Sequence, residues 1–401
     1  MFESFGLARR GFSRAGRRNS DRAMPRLVQR IFFRTHWVLG LVAGLVLAVV
    51  GGTGAILGFE SELIDALNPA LHLESRGSPM APAEIAALAA GAHDGYRTRS
   101  VEWQGDDRAA IVRLARGSER GGLEVAVDPY RGAMLGELRG TDFIATVEQL
   151  HRNLAAGPVG KQLVGASTVA LIVLSISGIV LRWPRRHSLR AWLAFDGRLR
   201  GRALLRNLHL TAATWMLPLY LLVALTGLWW SYDVYRDAIN RAAGVTQPQR
   251  RPDANNARSD LPAADIDAAW ATFRREASDA TRATIALGGS TDAPIEIRYQ
   301  TRESPHGRAW NTLKIDAKTG AVAGRELYAD QPAGRRFVSS LFPLHSGHFF
   351  GLPGRIAMAI AALLLPLFTL TGFWMWLQRR RAERARAARI EPAARPALDR
   401  A

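Results

Sequence analysis

Residues 37–59 read WVLGLVAGLVLAVVGGTGAILGF, a run of 23 positions without a charged side chain. At a helical rise of about 1.5 Å per residue, roughly 20 such residues cross the ~30 Å hydrocarbon layer of a bilayer. Three further stretches have the same character: Leu163–Leu181, Leu210–Trp230 and Ile356–Leu377. In hydrocarbon a backbone must satisfy its own polar groups, so each stretch is expected to be a helix. This predicts an integral membrane α-helical protein, a four-span helix bundle, and excludes a soluble enzyme. Working outward from the first span, a basic arm precedes it and Gly58-Phe59-Glu60-Ser61-Glu62 follows. The run is too long for the core of a signal peptide, and no small-x-small cleavage site comes after it. It is therefore read as an uncleaved first span, although Arg9-Arg10-Gly11-Phe12 faintly resembles a twin-arginine signal.

The chain has 401 residues, 53 of them Lys or Arg and 35 Asp or Glu, and no cysteine. The missing thiols rule out disulfide frameworks, thiolate zinc sites, iron–sulfur clusters, cysteine nucleophiles and haem attached through CxxCH. The net charge of +18 is concentrated in three blocks: +7 in residues 1–35, +7 in 182–207 and +5 in 378–401. All three blocks fall on one side of a four-span topology. The positive-inside rule makes that side the cytoplasm and places both termini there. The expected partner of this charge is the acidic surface of the lipid bilayer, not nucleic acid.

The spans divide the chain into two similar halves. The expected order is a cytoplasmic arm (1–35), span 1 (36–59), an outer domain (60–150), a His-bearing segment with span 2 (151–182) and a cytoplasmic loop (183–207). Span 3 (208–232), a second outer domain (233–340), a His-bearing segment with span 4 (341–377) and a basic tail (378–401) complete it. Each outer segment starts with a short helix opened by Pro, over 82–93 and 262–277. Strand-like runs follow at Thr98–Trp103, Ala109–Ala115 and Leu123–Val127, and again at Ala283–Leu287, Ile295–Tyr299 and Thr312–Ile315. Each set ends in a D-x-x-x-G turn, Asp128–Gly132 and Asp316–Gly320, where Asp caps the backbone and Gly supplies positive φ. Two small periplasmic α+β domains, each one helix on its own antiparallel sheet, are expected. The polar stretch Gln247–Asp260 reads as a linker.

The duplication also sorts the nine histidines. His36 precedes Thr53-Gly54 by the same interval at which His209 precedes Thr226-Gly227, close to one membrane thickness of helix. A second, longer interval is shared by His151 with Ser177-Gly178 and by His345 with Thr371-Gly372. Gly157, Gly160 and Lys161 follow His151 at the offsets at which Gly351, Gly354 and Arg355 follow His345. Any one of these histidines alone reads as an ordinary interfacial side chain, and the Arg, Lys and Trp near helix ends as membrane anchors. Four of them recurring at matched spacings, while His72, His93, His187, His306 and His348 have no counterpart, points to two pairs meeting across a pseudo-twofold axis. Facing imidazoles with no thiolate available suit the axial ligands of two b-type haems. His36/His209 would hold one at the cytoplasmic face and His151/His345 the other at the periplasmic face. Arg34, Arg206, Arg152, Lys161 and Arg355 are placed to meet the propionates. His348, close to the outer pair, reads either as a residue that lines a docking cleft or tunes the outer haem, or as a plain polar interfacial residue. Zinc is disfavoured because neither face offers a third ligand at metal spacing.

At this point the sequence resembles the PepSY-associated transmembrane proteins, also labelled iron-uptake membrane proteins. The features that carry the resemblance are Arg34-Thr35-His36-Trp37, Gly51–Ala55, the two D-x-x-x-G turns, Leu150–Asn153, Arg206–His209 and Pro343–Gly347, spread from about residue 30 to 380. The resemblance implies a bacterial inner-membrane protein linked to siderophore handling. Some members resemble periplasmic ferrisiderophore reductases with two b haems, ligated at the positions of His36, His209, His151 and His345. Other members carry a fused flavodoxin-like reductase module, which has no counterpart here after the fourth span.

The expected activity is therefore that of an oxidoreductase. Electrons from a cytoplasmic flavin reductase, reduced flavin or a quinol would reach a periplasmic acceptor such as a ferric siderophore. No residue is assigned as catalytic, because the cofactor performs the redox step. The competing expectation is a membrane-anchored PepSY regulator of periplasmic peptidases. It explains the outer domains but leaves the four histidines idle. A transporter is disfavoured because the spans hold almost no ionisable groups away from their ends.

Overall fold

The computed structural model describes residues 26–75, 77–117, 122–183, 188–245, 259–260, 262–289 and 293–390. The basic arm before residue 26, the segment 184–187 with His187, most of the expected linker (246–258) and the tail after 390 lie outside the described residues. The elements in chain order are α1 (Arg26–Val42), α2 (Gly44–Leu57), α3 (Glu60–Leu67), α4 (Pro82–Gly91), β1 (Arg97–Trp103), β2 (Ala110–Ala115), β3 (Leu123–Val127) and β4 (Met134–Glu137). They are followed by α5 (Thr141–Asn153), α6 (Gly157–Arg182), α7 (Leu189–Leu193), α8 (Gly201–Ser231), α9 (Asp233–Ala242) and α10 (Ala263–Glu276). The chain continues with β5 (Ala280–Ala286), β6 (Ile295–Thr301), β7 (Asn311–Ile315), β8 (Val322–Glu326), α11 (Ala333–Ser346) and α12 (Gly351–Ile390).

Among the described residues, α6, α8 and α12 are each long and apolar enough to cross a membrane, as is the pair α1–α2 if it counts as one span. That pair is not the single straight helix expected over 36–59, because it bends by 57° between Val42 and Gly44. Helix α12 packs on both arms of the bend: Thr369 Oγ1 lies 2.9 Å from the Gly44 carbonyl oxygen and 3.0 Å from that of Leu365, and a Cβ on Gly44 would stand only 3.1 Å from Thr369 Cγ2. Helices α8 and α12 run past the apolar stretches at their inner ends, so basic segments expected as loop and tail are partly helical.

Bundle packing respects the duplication. Helix α2 lies against α12 and α6 lies against α8, while α5 packs on α2 and α11 on α8. Small residues allow the close approach: a Cβ on Gly51 would lie 2.4 Å from the Ala362 carbonyl oxygen. Ala43, Leu47, Ala170, Leu171, Tyr220, Ala224, Ala361 and Leu365 fill the centre, and the Tyr220 hydroxyl donates to the Ala361 carbonyl at 2.9 Å.

The outer segments fold as expected in their parts but not in their assembly. Each D-x-x-x-G turn closes on its own Asp: Asp128 Oδ1 accepts from the Tyr130 amide at 2.8 Å, and Asp316 Oδ1 from the Thr319 amide at 2.8 Å. Gly132 and Gly320 both take φ of 65°. However, the two four-stranded meanders do not form separate sheets. They join edge to edge into one eight-stranded antiparallel sheet, ordered β8-β7-β6-β5-β1-β2-β3-β4. The seam pairs Ser100 with Ala286, Val101 with Ile285, Glu102 with Thr284 and Trp103 with Ala283. Joining the edges satisfies backbone groups that two separate sheets would each leave unpaired. One core serves both halves: Val112, Leu114, Val125, Phe273, Ile285, Ile297, Leu313 and Ile315 are fully buried in it, beneath α4 and α10.

Candidate functional site

The last strand of each meander leads directly into a helix that carries an outer histidine, β4 into α5 and β8 into α11. Each of the four paired histidines turns away from its own helix onto a hydroxyl–glycine step of another. At the inner end, His36 Nδ1 lies 2.8 Å from Ser177 Oγ, and His209 Nδ1 lies 2.9 Å from Thr371 Oγ1. At the outer end, His345 Nδ1 lies 3.0 Å from Thr226 Oγ1. His151 Nδ1 lies 3.2 Å from Thr53 Oγ1 and 2.9 Å from the Val50 carbonyl oxygen. The neighbouring glycines make room for the rings. A Cβ on Gly54 would stand 2.9 Å from His151 Cε1, and one on Gly227 would stand 3.2 Å from His345 Cε1.

The outer rings face each other with centroids 6.3 Å apart and planes at 71°, and Trp230 flanks His345 at 5.5 Å. Two imidazoles sharing one metal ion, at about 2 Å per nitrogen with each ring centre about 1 Å further back, stand about 6 Å apart. The separation of the outer pair matches that spacing. At the inner end, His36 and His209 line one cavity of about 1300 Å³, walled by Leu171, Leu174, Tyr220, Phe368 and Trp376. Small-molecule pockets are usually ~300–1,000 Å³, so a porphyrin is not excluded by size. Trp37 Nε1 is buried with no acceptor among the described residues, and Trp37 lines the same cavity. A buried donor without a partner suits a carboxylate-bearing ligand.

The five cations expected near such carboxylates divide into two groups. Arg34 and Arg206 line the inner cavity and make no ion pair among the described residues. The outer three already have acids of the protein. Arg152 pairs with Glu148 at 2.8 Å, Lys161 lies 3.8 Å from Asp233, and Arg355 grips both Glu62 oxygens while its Nε donates to the Gly58 carbonyl at 3.0 Å. Arg355 holds the Glu62 carboxyl down at about 2. Glu62 and Asp233 sit just past the ends of α2 and α8, so Arg355 and Lys161 each strap one helix head to another, whereas Arg152–Glu148 is a pair within α5. His348 lies in a short turn before α12, its Nδ1 2.9 Å from Ser346 Oγ. Among the described residues no three His, Cys, Asp or Glu side chains converge on a point.

Sequence reasoning identified the four histidines and the Thr-Gly and Ser-Gly steps as separate landmarks but did not bring them together. The matched intervals measure distances along single segments. The contacts instead join His36 to Ser177 and His151 to Thr53 within the first half, and their equivalents within the second.

A family model, the PepSY-associated TM region, matches residues 33–379, which takes in both halves of the bundle and the whole sheet. The chain belongs to the PepSY-associated transmembrane family. This PepSY-associated protein is also 27% identical over 251 residues, 58% of its own length, to a Pseudomonas aeruginosa protein named "Uncharacterized protein PA4219". The matched region spans 62% of that relative's length.

Proposed function

We propose that this membrane protein is a b-type dihaem electron conduit of the bacterial inner membrane. It takes electrons from a cytoplasmic flavin reductase, reduced flavin or quinol and delivers them to a periplasmic acceptor, with a ferric siderophore as substrate. The observation that carries this reading is the approach of His151 and His345 to 6.3 Å across the pseudo-twofold axis, with His36 and His209 sharing a cavity below. His151 and His345 would hold one haem and His36 and His209 the other, each haem supplying a one-electron carrier when bound. The chain's residues hold the imidazoles on packed helices, and Arg34, Arg206 and the unpartnered Trp37 N–H, which line the inner cavity, would meet the haem carboxylates there. The sheet, joined to α5 and α11 through its two outermost strands, would offer the acceptor a docking wall. Fe(III) is held by hard oxygen chelators far more tightly than Fe(II), so a single electron releases the metal.

Purification from haem-replete cells tests the proposal. A b-type pyridine haemochrome with two haems per chain is expected, and His151→Ala and His209→Ala should each remove one. A colourless preparation would overturn the reading and leave a periplasmic regulator as the function of the outer sheet.

A further inference from the structure

Building on the dihaem reading, we propose that Thr53, Ser177, Thr226 and Thr371 are positioning residues. They fix the tautomer of all four histidines and set the basicity of the nitrogen that each presents to iron. The inference follows from counting protons. Thr53 donates its hydroxyl proton to the Val49 carbonyl at 2.7 Å and Thr226 donates to Leu222 at 2.6 Å. Ser177 donates to Leu174 and Thr371 to Phe368, both at 3.2 Å. A hydroxyl has one proton, and at Thr53 and Thr226 the helix's own carbonyl, nearer than the histidine, takes it. What these two hydroxyls turn toward their histidines is therefore a lone pair, so Nδ1 is the N–H, and the repeat extends the same assignment to Ser177 and Thr371. The ring nitrogen left without a proton is Nε2, the form in which imidazole binds a metal.

The bonds also differ in strength. His151 Nδ1 has the Val50 carbonyl at 2.9 Å in addition to Thr53, whereas His209 Nδ1 meets Thr371 at 2.9 Å. The more firmly Nδ1–H is held, the more electron-rich Nε2 becomes and the more it favours the ferric state. At the outer pair the glycine after each hydroxyl completes the device: at Gly54 and Gly227 any side chain would press on the imidazole that the hydroxyl orients. The inner glycines, Gly178 and Gly372, leave ordinary clearance or open space, so there the hydroxyl alone does the positioning.

Thr226→Val and Thr226→Ser in the full-length protein test this. Valine keeps the size and the helix but removes the acceptor. Outer-site haem affinity, read by transfer to apomyoglobin, should fall about 10- to 100-fold in Thr226→Val. The outer midpoint potential should rise, the inner haem should be unchanged, and Thr226→Ser should restore both values. Thr371→Val repeats the test at the inner pair in case one variant folds poorly. Solid-state ¹⁵N spectra of haem-free protein give a reading independent of the cofactor: Nδ1–H signals from these four histidines in the wild type, and loss of that preference at His345 in Thr226→Val. A wild type that binds no haem yet shows those tautomers sinks the dihaem reading alone. A haem-loaded protein in which Thr226→Val changes neither tautomer, potential nor retention sinks this proposal alone.

Discussion

Alanine at each of the four hydroxyl-linked glycines gives a graded test of the site, because the structure assigns each a different clearance. At Gly54 the new Cβ would lie 2.9 Å from His151 Cε1 and 3.3 Å from Nδ1. Comfortable carbon–carbon contact needs about 3.5–4.0 Å, so the ring must retreat by about 0.6–1 Å. A site holding a ligand to within about 0.5 Å cannot absorb that shift. At Gly227 the clearance is 3.2 Å, at Gly178 it is 3.5 Å, and at Gly372 nothing lies within 4 Å. Gly54→Ala should therefore release most of the outer haem or convert it to a high-spin form. Gly227→Ala should do so partly, Gly178→Ala little and Gly372→Ala not at all. Helix propensity works against a trivial explanation, since Gly→Ala in a helix interior is favourable by up to about 1 kcal/mol. Pyridine haemochrome stoichiometry with low-temperature electron paramagnetic resonance reads both quantities. Equal haem content and spin state in Gly54→Ala and Gly372→Ala would refute the claim that the imidazole rests on the glycine face.

Across the sheet seam, Arg282 pairs with Glu102, whose side chain is 6% exposed. Arg282→Ala leaves that carboxylate without its charge partner, with Gln104 Nε2 still donating at 2.8 Å, and should destabilise the outer sheet by about 1–3 kcal/mol in thermal unfolding, and Arg282→Lys by less. Ile285 is fully buried at the same seam, so Ile285→Ala should cost about 2–5 kcal/mol by the same measurement. Glu62 has its carboxyl lowered from 4.5 to about 2 by Arg355. A lowered native value adds stability above the ordinary carboxylate range and loses it as pH falls toward 2. Glu62→Gln should thus unfold at lower temperature than the wild type at pH 7, and the gap should close on acidification. With the Glu62 side chain half exposed, solvent screening keeps the gap to about 1 kcal/mol or less.

The bundle and the site were legible in the sequence to different depths. Spans of unbroken hydrophobicity and the repeated His, Gly and cation offsets were readable because each is a local pattern or a copy of one. The bend between α1 and α2 was not, because the run 37–59 carries no proline or charge to mark it. The two sheets looked separate because an edge strand carries no mark of its partner. Val101 and Ile285 alternate in their own strands as they would in a free edge, and only the register across the seam unites them. The outer cations were expected to face a ligand since Arg355 and Lys161 recur at one offset, yet Glu62 and Asp233 reach them first. In both cases the deciding partner was remote in sequence and chemically ordinary.

The shared sheet also limits what the two halves can do mechanically. A carrier that alternates its opening needs its repeats to rock against each other, and here four successive ladder pairs from Ser100 to Trp103 would have to shear with every cycle. A continuous β-span yokes the repeats outside the bilayer much as a rigid gantry holds two towers at a constant distance. That is a handicap for a pump, but an advantage for a relay whose rate depends on fixed separations between its stations.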